Sequence, residues 1–259
     1  MQENPNARAK RAKNTLSVAL LVCAVLLSVT APFLDAAVRT LADLLVRIFA
    51  AGAILLLLAA EDAFSLGGRL IPRTPITCAA VFFIFLVALN NFPFYDLLSH
   101  RASVSVSFPS LALYTLSALA TAAFEEALFR GLLFPLVRAK TKRTLRGELA
   151  ALTLSSALFA LLHLVNLIAA PLPATLLQVA YTFGIGLFAG LLCLLFRGLF
   201  PSFLFHALYN FGGLFLSSFG TLPPAAPFTV ISTALLAILA GGLSLLALAQ
   251  LAQEENVHK

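Results

Sequence analysis

The stretch Phe124-Glu125-Glu126-Ala127-Leu128-Phe129-Arg130 sets three ionisable side chains inside an otherwise apolar segment of helix length. A charge at bilayer depth costs about 2.5–3.5 kcal/mol on insertion scales, so such residues face a bundle interior, pair with one another and mark functional sites. Residues four apart share a helix face, and adjacent residues are turned by about 100°. That spacing stacks Glu126 on Arg130 as a self-neutralising, supporting ion pair. Glu125 points to another face with no partner on its own helix, which leaves it as the carboxylate available for chemistry. The plainer alternative is a packing cluster in which the three charges only neutralise each other.

Around this stretch the chain of 259 residues is 61% hydrophobic and 11% charged, with a mean hydropathy of +0.99. A soluble domain carries about 25% charged residues, so the composition implies an all-α, polytopic helical membrane protein. The apolar runs are continuous and rich in Leu and Ala, unlike the alternating ten-residue segments of a membrane β-barrel. About eight transmembrane helices are expected, near 15–34, 36–60, 76–89, 110–137, 148–170, 173–196, 199–219 and 228–251. The chain divides into a basic N-terminal tail over 1–14, a single transmembrane domain over 15–251 and a polar C-terminal tail over 252–259. The apolar run after the N-terminal basic residues shows no cleavage site and reads as an uncleaved first span. Cys23, Cys78 and Cys193 lie inside apolar segments with neither paired nor metal-type spacing, and so are expected as free thiols.

The net charge of +6 comes from short basic clusters at the ends of apolar runs, a pattern of topology signals rather than of a nucleic-acid surface. With the N-terminus cytoplasmic, the basic residues of 8–13, Arg69, Arg73, those of 138–146, Arg197 and Lys259 all fall inside, and only Arg101 falls outside. Both termini are therefore expected in the cytoplasm, and the Ser/Val-alternating segment 103–107 in an outer loop. The second span is unusual in carrying Asp35, Arg39, Asp43 and Arg47 at every fourth position, an alternating-sign ladder that neighbouring helices or the interface must shield. Gly186 and Gly190 form a small-residue pair suited to close helix contact, and Gly131 and Pro135 are expected to kink the end of the fourth span.

A rise of 1.5 Å per residue gives the depth of the remaining polar residues below the nearest cytoplasmic basic anchor. Glu125 lies at about 20 Å, His163 at about 25 Å, and His206 and Asn210 at about 14 and 20 Å. The last two share a helix face. Two histidines, an asparagine and an unpaired carboxylate in one band, on three spans, suggest a common polar site.

Glu125-Glu126-x-x-x-Arg130, Phe159-x-x-x-His163 and His206-x-x-x-Asn210, in that order on separate hydrophobic segments, resemble the three signature motifs of the CPBP family. This is the family of CAAX proteases and bacteriocin-processing enzymes, also called the Abi family, with the type II CAAX prenyl endopeptidases among its members. The resemblance spans about 124–210. It implies an intramembrane endopeptidase in which Glu125 and His163 activate water and His206 and Asn210 stabilise the oxyanion, acting on a membrane-associated or lipidated peptide or protein in the bacterial cytoplasmic membrane. Amide hydrolysis needs such a base and such donors, and no serine or cysteine nucleophile. No cofactor is implied. A zinc peptidase using His163, His206 and Glu125 as ligands is the metal-dependent alternative, although nothing resembles His-Glu-x-x-His. A non-catalytic immunity or partner-stabilising protein on the same fold, or a proton-coupled transporter, are the alternatives of other classes. Besides the lipid bilayer and the peptide substrate no partner is implied, and the oligomeric state is left open.

Overall fold

A computed structural model describes residues 36–60, 74–141, 144–221 and 226–257, together with Thr15, Ala19 and Pro223. Apart from Thr15 and Ala19, the first expected span lies outside the described residues, as do most of the loop after the second, Cys23, Asp35 and both ends of the chain. What is described is helical. Helix α1 covers Ala36–Ala60, α2 Pro75–Asn90, the short α3 Phe94–Leu98 and α4 Phe108–Glu126, which runs on through a π-helical stretch, Ala127–Leu133, into α5, Phe134–Arg138. Then come α6, Leu145–Leu162, with a 3-10 continuation His163–Ile168; α7, Leu172–Phe196; α8, Phe200–Gly213; α9, Phe215–Phe219; and α10, Pro227–Val257.

The helix starts follow from local chemistry. Thr74 accepts from the Thr77 backbone N–H at 3.1 Å ahead of Pro75, and Thr144 accepts from that of Gly147 at 3.2 Å. Ser107 and Ser110 form a reciprocal capping box with Pro109 in the first turn of α4, satisfying donors that the helix itself leaves open. At the other end of this long span, Pro135 has no N–H to offer the preceding turn. The chain resolves this by widening rather than by a sharp kink, and the Phe134 N–H bonds the Phe129 carbonyl five residues back. The expected kink is thus a π-helical stretch, with Arg130 at its centre.

Among the described residues, four helical stretches are long and apolar enough to cross a bilayer: Phe108–Arg138, Arg146–Ile168, Leu172–Phe196 and Pro227–Gln250. Each coincides with an expected span. The 16-residue α2 is apolar but shorter, and α8 with α9 replaces one expected continuous span by two helices broken at Leu214. Helix α10 also runs past Leu251 into the expected polar tail, where Ala252, Gln253, Glu254 and Glu255 are good helix formers. Phe82, Leu158, Leu177 and Ile238 stand exposed on outward faces, as the sides of a bundle immersed in lipid require.

Two apolar clusters hold the bundle. One joins α2, α7, α8 and α10 through Ile84, Leu192, Phe205 and Ala240; the other packs Ala51, Ile54 and Leu58 of α1 onto Leu128, Phe129 and Phe159. The charge ladder is anchored across this second contact. Arg47 bonds Asp43 at 3.0 Å and also donates to the Thr121 hydroxyl of α4, which ties this half of the ladder to α4 while leaving both side chains partly exposed; Asp35 and the Arg39 side chain lie outside the described residues. Helix α7 closes on Arg197 in the left-handed conformation (φ 51°), and this tight reversal leads directly into α8. Segment 103–107 is extended, with one isolated bridge from Val104 to Gly220.

Candidate active site

The end of α4, the π-helical stretch and α8 meet at a buried polar cluster. Glu126 is 1% exposed, and three side chains converge on its carboxylate. Arg130 Nη1 donates to Oε1 at 3.0 Å, His206 Nδ1 lies 2.7 Å from the same oxygen, and the Ser202 hydroxyl donates to Oε2. Arg130, itself 1% exposed, places its second Nη on the Gly186 carbonyl of α7 at 2.9 Å. The i,i+4 pair therefore forms as its spacing implies, but within a network that ties the π-helical stretch to α7 and α8.

Glu125 differs from its neighbour. It is partly accessible, with its side chain 17% exposed, and Oε2 stands 3.4 Å from His206 Nε2. It has no partner on its own helix and one on another. His206 thus sits between two carboxylates, one on each ring nitrogen.

His163 belongs to a second layer of the same site. The chain tightens from α-helix to 3-10 helix at this residue, and Nδ1 lies 3.1 Å from the Phe159 carbonyl. The two histidines are spaced by the Phe159 ring, which meets His163 at 5.2 Å and His206 at 5.7 Å, edge to face in both cases. The same ring carries the Arg130 guanidinium over its face at 4.6 Å. Such a contact is worth more where water is excluded. Asn210 follows His206 one turn later and is half-buried. Its backbone carbonyl accepts from the Leu214 N–H at 3.2 Å, and its side-chain amide makes no hydrogen bond among the described residues.

Glu125, Glu126, Arg130 and His206 are in direct contact, while His163 joins them through Phe159. Ser202 and the Gly186 carbonyl were not anticipated from the sequence. Ser202 carried a signal, being one turn before His206 on the same face of α8; the carbonyl carried none. Asn166, on the 3-10 turn, bonds Gln178 at 2.8 Å and fastens that turn to α7. Among the described residues no three His, Cys, Asp or Glu side chains group so as to hold an ion, and each nitrogen of His206 already faces a carboxylate.

The fold and the cluster define an integral membrane protein, all-α and polytopic, with a carboxylate–histidine site buried between its helices. The family model described as "Type II CAAX prenyl endopeptidase Rce1-like" matches residues 107–212, about two fifths of the chain. Over that span the chain is similar to this family, which supports the CAAX-protease resemblance that the three motifs carry; the match runs from the cap of α4 to the end of α8 and contains every residue of the cluster. No curated protein and no solved structure matches the chain.

Proposed function

We propose that the protein is an intramembrane endopeptidase that hydrolyses a peptide bond of a membrane-associated or lipidated substrate, with the prenylated CAAX peptide as the substrate class that the Rce1-like match suggests. The observation that carries this reading is Glu125. It is a partly accessible carboxylate bound by no structural partner on its own helix, set against His206, while the adjacent Glu126 is wholly consumed in the buried network. A carboxylate base next to polarising histidines is what activation of water requires. In this reading Glu125 and His163 activate the water. His206 and Asn210 stabilise the oxyanion, a donor at such a position being worth about 3–4 kcal/mol. No metal is needed. Both termini lie on the cytoplasmic side of a bacterial cytoplasmic membrane.

The test is cleavage of a prenylated CAAX peptide by the purified full chain in liposomes. Glu125→Gln and His163→Ala should each remove most activity, and the double variant should lose little more, because groups acting as a unit are non-additive. Chelators should leave wild-type turnover intact. Undiminished cleavage by Glu125→Gln would refute the mechanism, and loss of activity on chelation, restored by zinc, would replace it with the metallopeptidase.

A further inference from the structure

The distances around His206 are unequal, and they bear on where its proton sits. At 2.7 Å, the contact of Nδ1 with Glu126 lies in the range of charge-assisted hydrogen bonds; at 3.4 Å, that of Nε2 with Glu125 lies outside it. Glu126 pairs with Arg130 and also receives the Ser202 hydroxyl, so it is a carboxylate surrounded by donors and can only accept from the ring. A neutral imidazole in this setting holds its hydrogen on Nδ1 and keeps a lone pair on Nε2. In that form Nε2 cannot donate to an oxyanion. It first has to gain a proton, and the side chain beside it is Glu125.

We propose that Glu126, held by Arg130 and Ser202, is a positioning residue that fixes the His206 proton on Nδ1, so that Nε2 receives the proton of the attacking water by way of Glu125 and passes it to the leaving amine. This rests on the hydrolase reading above and specifies the proton path within it. Water loses a proton to the Glu125 carboxylate as its oxygen bonds the scissile carbonyl carbon. The proton moves on to Nε2, and the imidazolium so formed faces the oxyanion as a donor. When the carbon–nitrogen bond breaks, the proton goes to the departing nitrogen, leaving a carboxylic acid, an amine and the original neutral ring. The other groups near the ring, among the described residues, are His163 across Phe159 and the buried Cys193, which neighbours Ser202 and Glu126. The Nδ1 of His163 can only donate to the Phe159 carbonyl, so a neutral ring there also has its lone pair on Nε2.

Nitrogen NMR of the full chain labelled with 15N-histidine, the His206 signals being assigned by their loss in His206→Gln, reads the tautomer without any substrate. The resting protein should carry hydrogen on Nδ1 and none on Nε2. Ser202→Ala should shift the Nδ1 signal and lower kcat by about 10–100-fold with KM little changed, the loss typical when a supporting partner is removed. Ser202→Thr, which keeps the hydroxyl, should restore both. A proton on Nε2 of the resting ring, alone or with Nδ1, overturns the proposal, as does full kcat in Ser202→Ala. If the enzyme is active and Nε2 is protonated, this proton path alone fails. If the chain hydrolyses nothing while Glu125→Gln and wild type behave alike, the hydrolase reading fails instead.

Discussion

Phe159 decides the spacing of the site. Its ring is in contact with both histidines and with the Arg130 guanidinium, so a single apolar side chain keeps three basic groups at fixed separations. Arg130 in turn reaches Glu126, the Gly186 carbonyl and this ring at once, which a lysine point charge cannot reproduce. Arg130→Ala leaves Glu126 buried beside His206 without its cation. The expected loss is about 3–5 kcal/mol, seen as a lowered thermal midpoint in detergent and reduced abundance. Arg130→Lys should recover only part of it. An unchanged midpoint together with abolished cleavage would move Arg130 from support into the chemistry. Much of this was legible at the residue scale: the Glu126–Arg130 pair follows from i,i+4 spacing, and Glu125 stands apart as adjacency on a helix requires. The contacts of His206 with both glutamates and the role of Ser202 were not legible, because hydropathy gives depth along a helix and not the direction in which a neighbouring helix is rotated.

At the scale of elements, α6 and α7 pack closely at two glycines. A Cβ on Gly186 would stand 3.0 Å from the Ser156 Cβ and 3.2 Å from its Cα, whereas one on Gly190 would meet the end of the Leu152 side chain. Backbone cannot yield as a leucine terminus can. Gly186→Ala should therefore cost more than Gly190→Ala, within the roughly 1–3 kcal/mol of overpacked sites. Gly186→Ala should also weaken cleavage, because the carbonyl that anchors Arg130 belongs to the same residue; comparison of melting midpoints and of turnover checks both, and equal effects at the two glycines would contradict the packing argument. The small-residue pair was visible in the sequence. The 3-10 turn at His163, the break at Leu214 and the π-helical stretch were not, since each is an adjustment within an apolar run that leaves the hydropathy pattern unchanged.

For the whole molecule, the order and limits of the helices from Ala36 onward follow the hydropathy pattern closely, because lipid tolerates no unpaired backbone and so fixes where helices begin and end. Segment 103–107 is exposed, with Val104 bridged to Gly220, and the basic asymmetry predicts that it lies on the outer face. A cysteine in place of Ser105 should react with an impermeant maleimide added outside intact cells and not with one confined to the cytoplasm. Labelling from the cytoplasmic side alone would reverse the topology.

The π-helical stretch also acts as a phase shifter. One long span carries the two glutamates at one end and, beyond Leu133, the Arg138 guanidinium that grips Glu148 at 2.7 Å. The widened turn lets these two ends keep different azimuths along one continuous rod. Rewinding all seven residues of 127–133 as α-helix would bring the rod to a uniform pitch and rotate one end against the other by about 100°. With Glu126 docked on α8, Arg138 would swing off α6; with Arg138 docked, the carboxylates would turn away from His206. The dockings of this span on α8 and on α6 are thus aligned by a mismatch in the winding of a single helix.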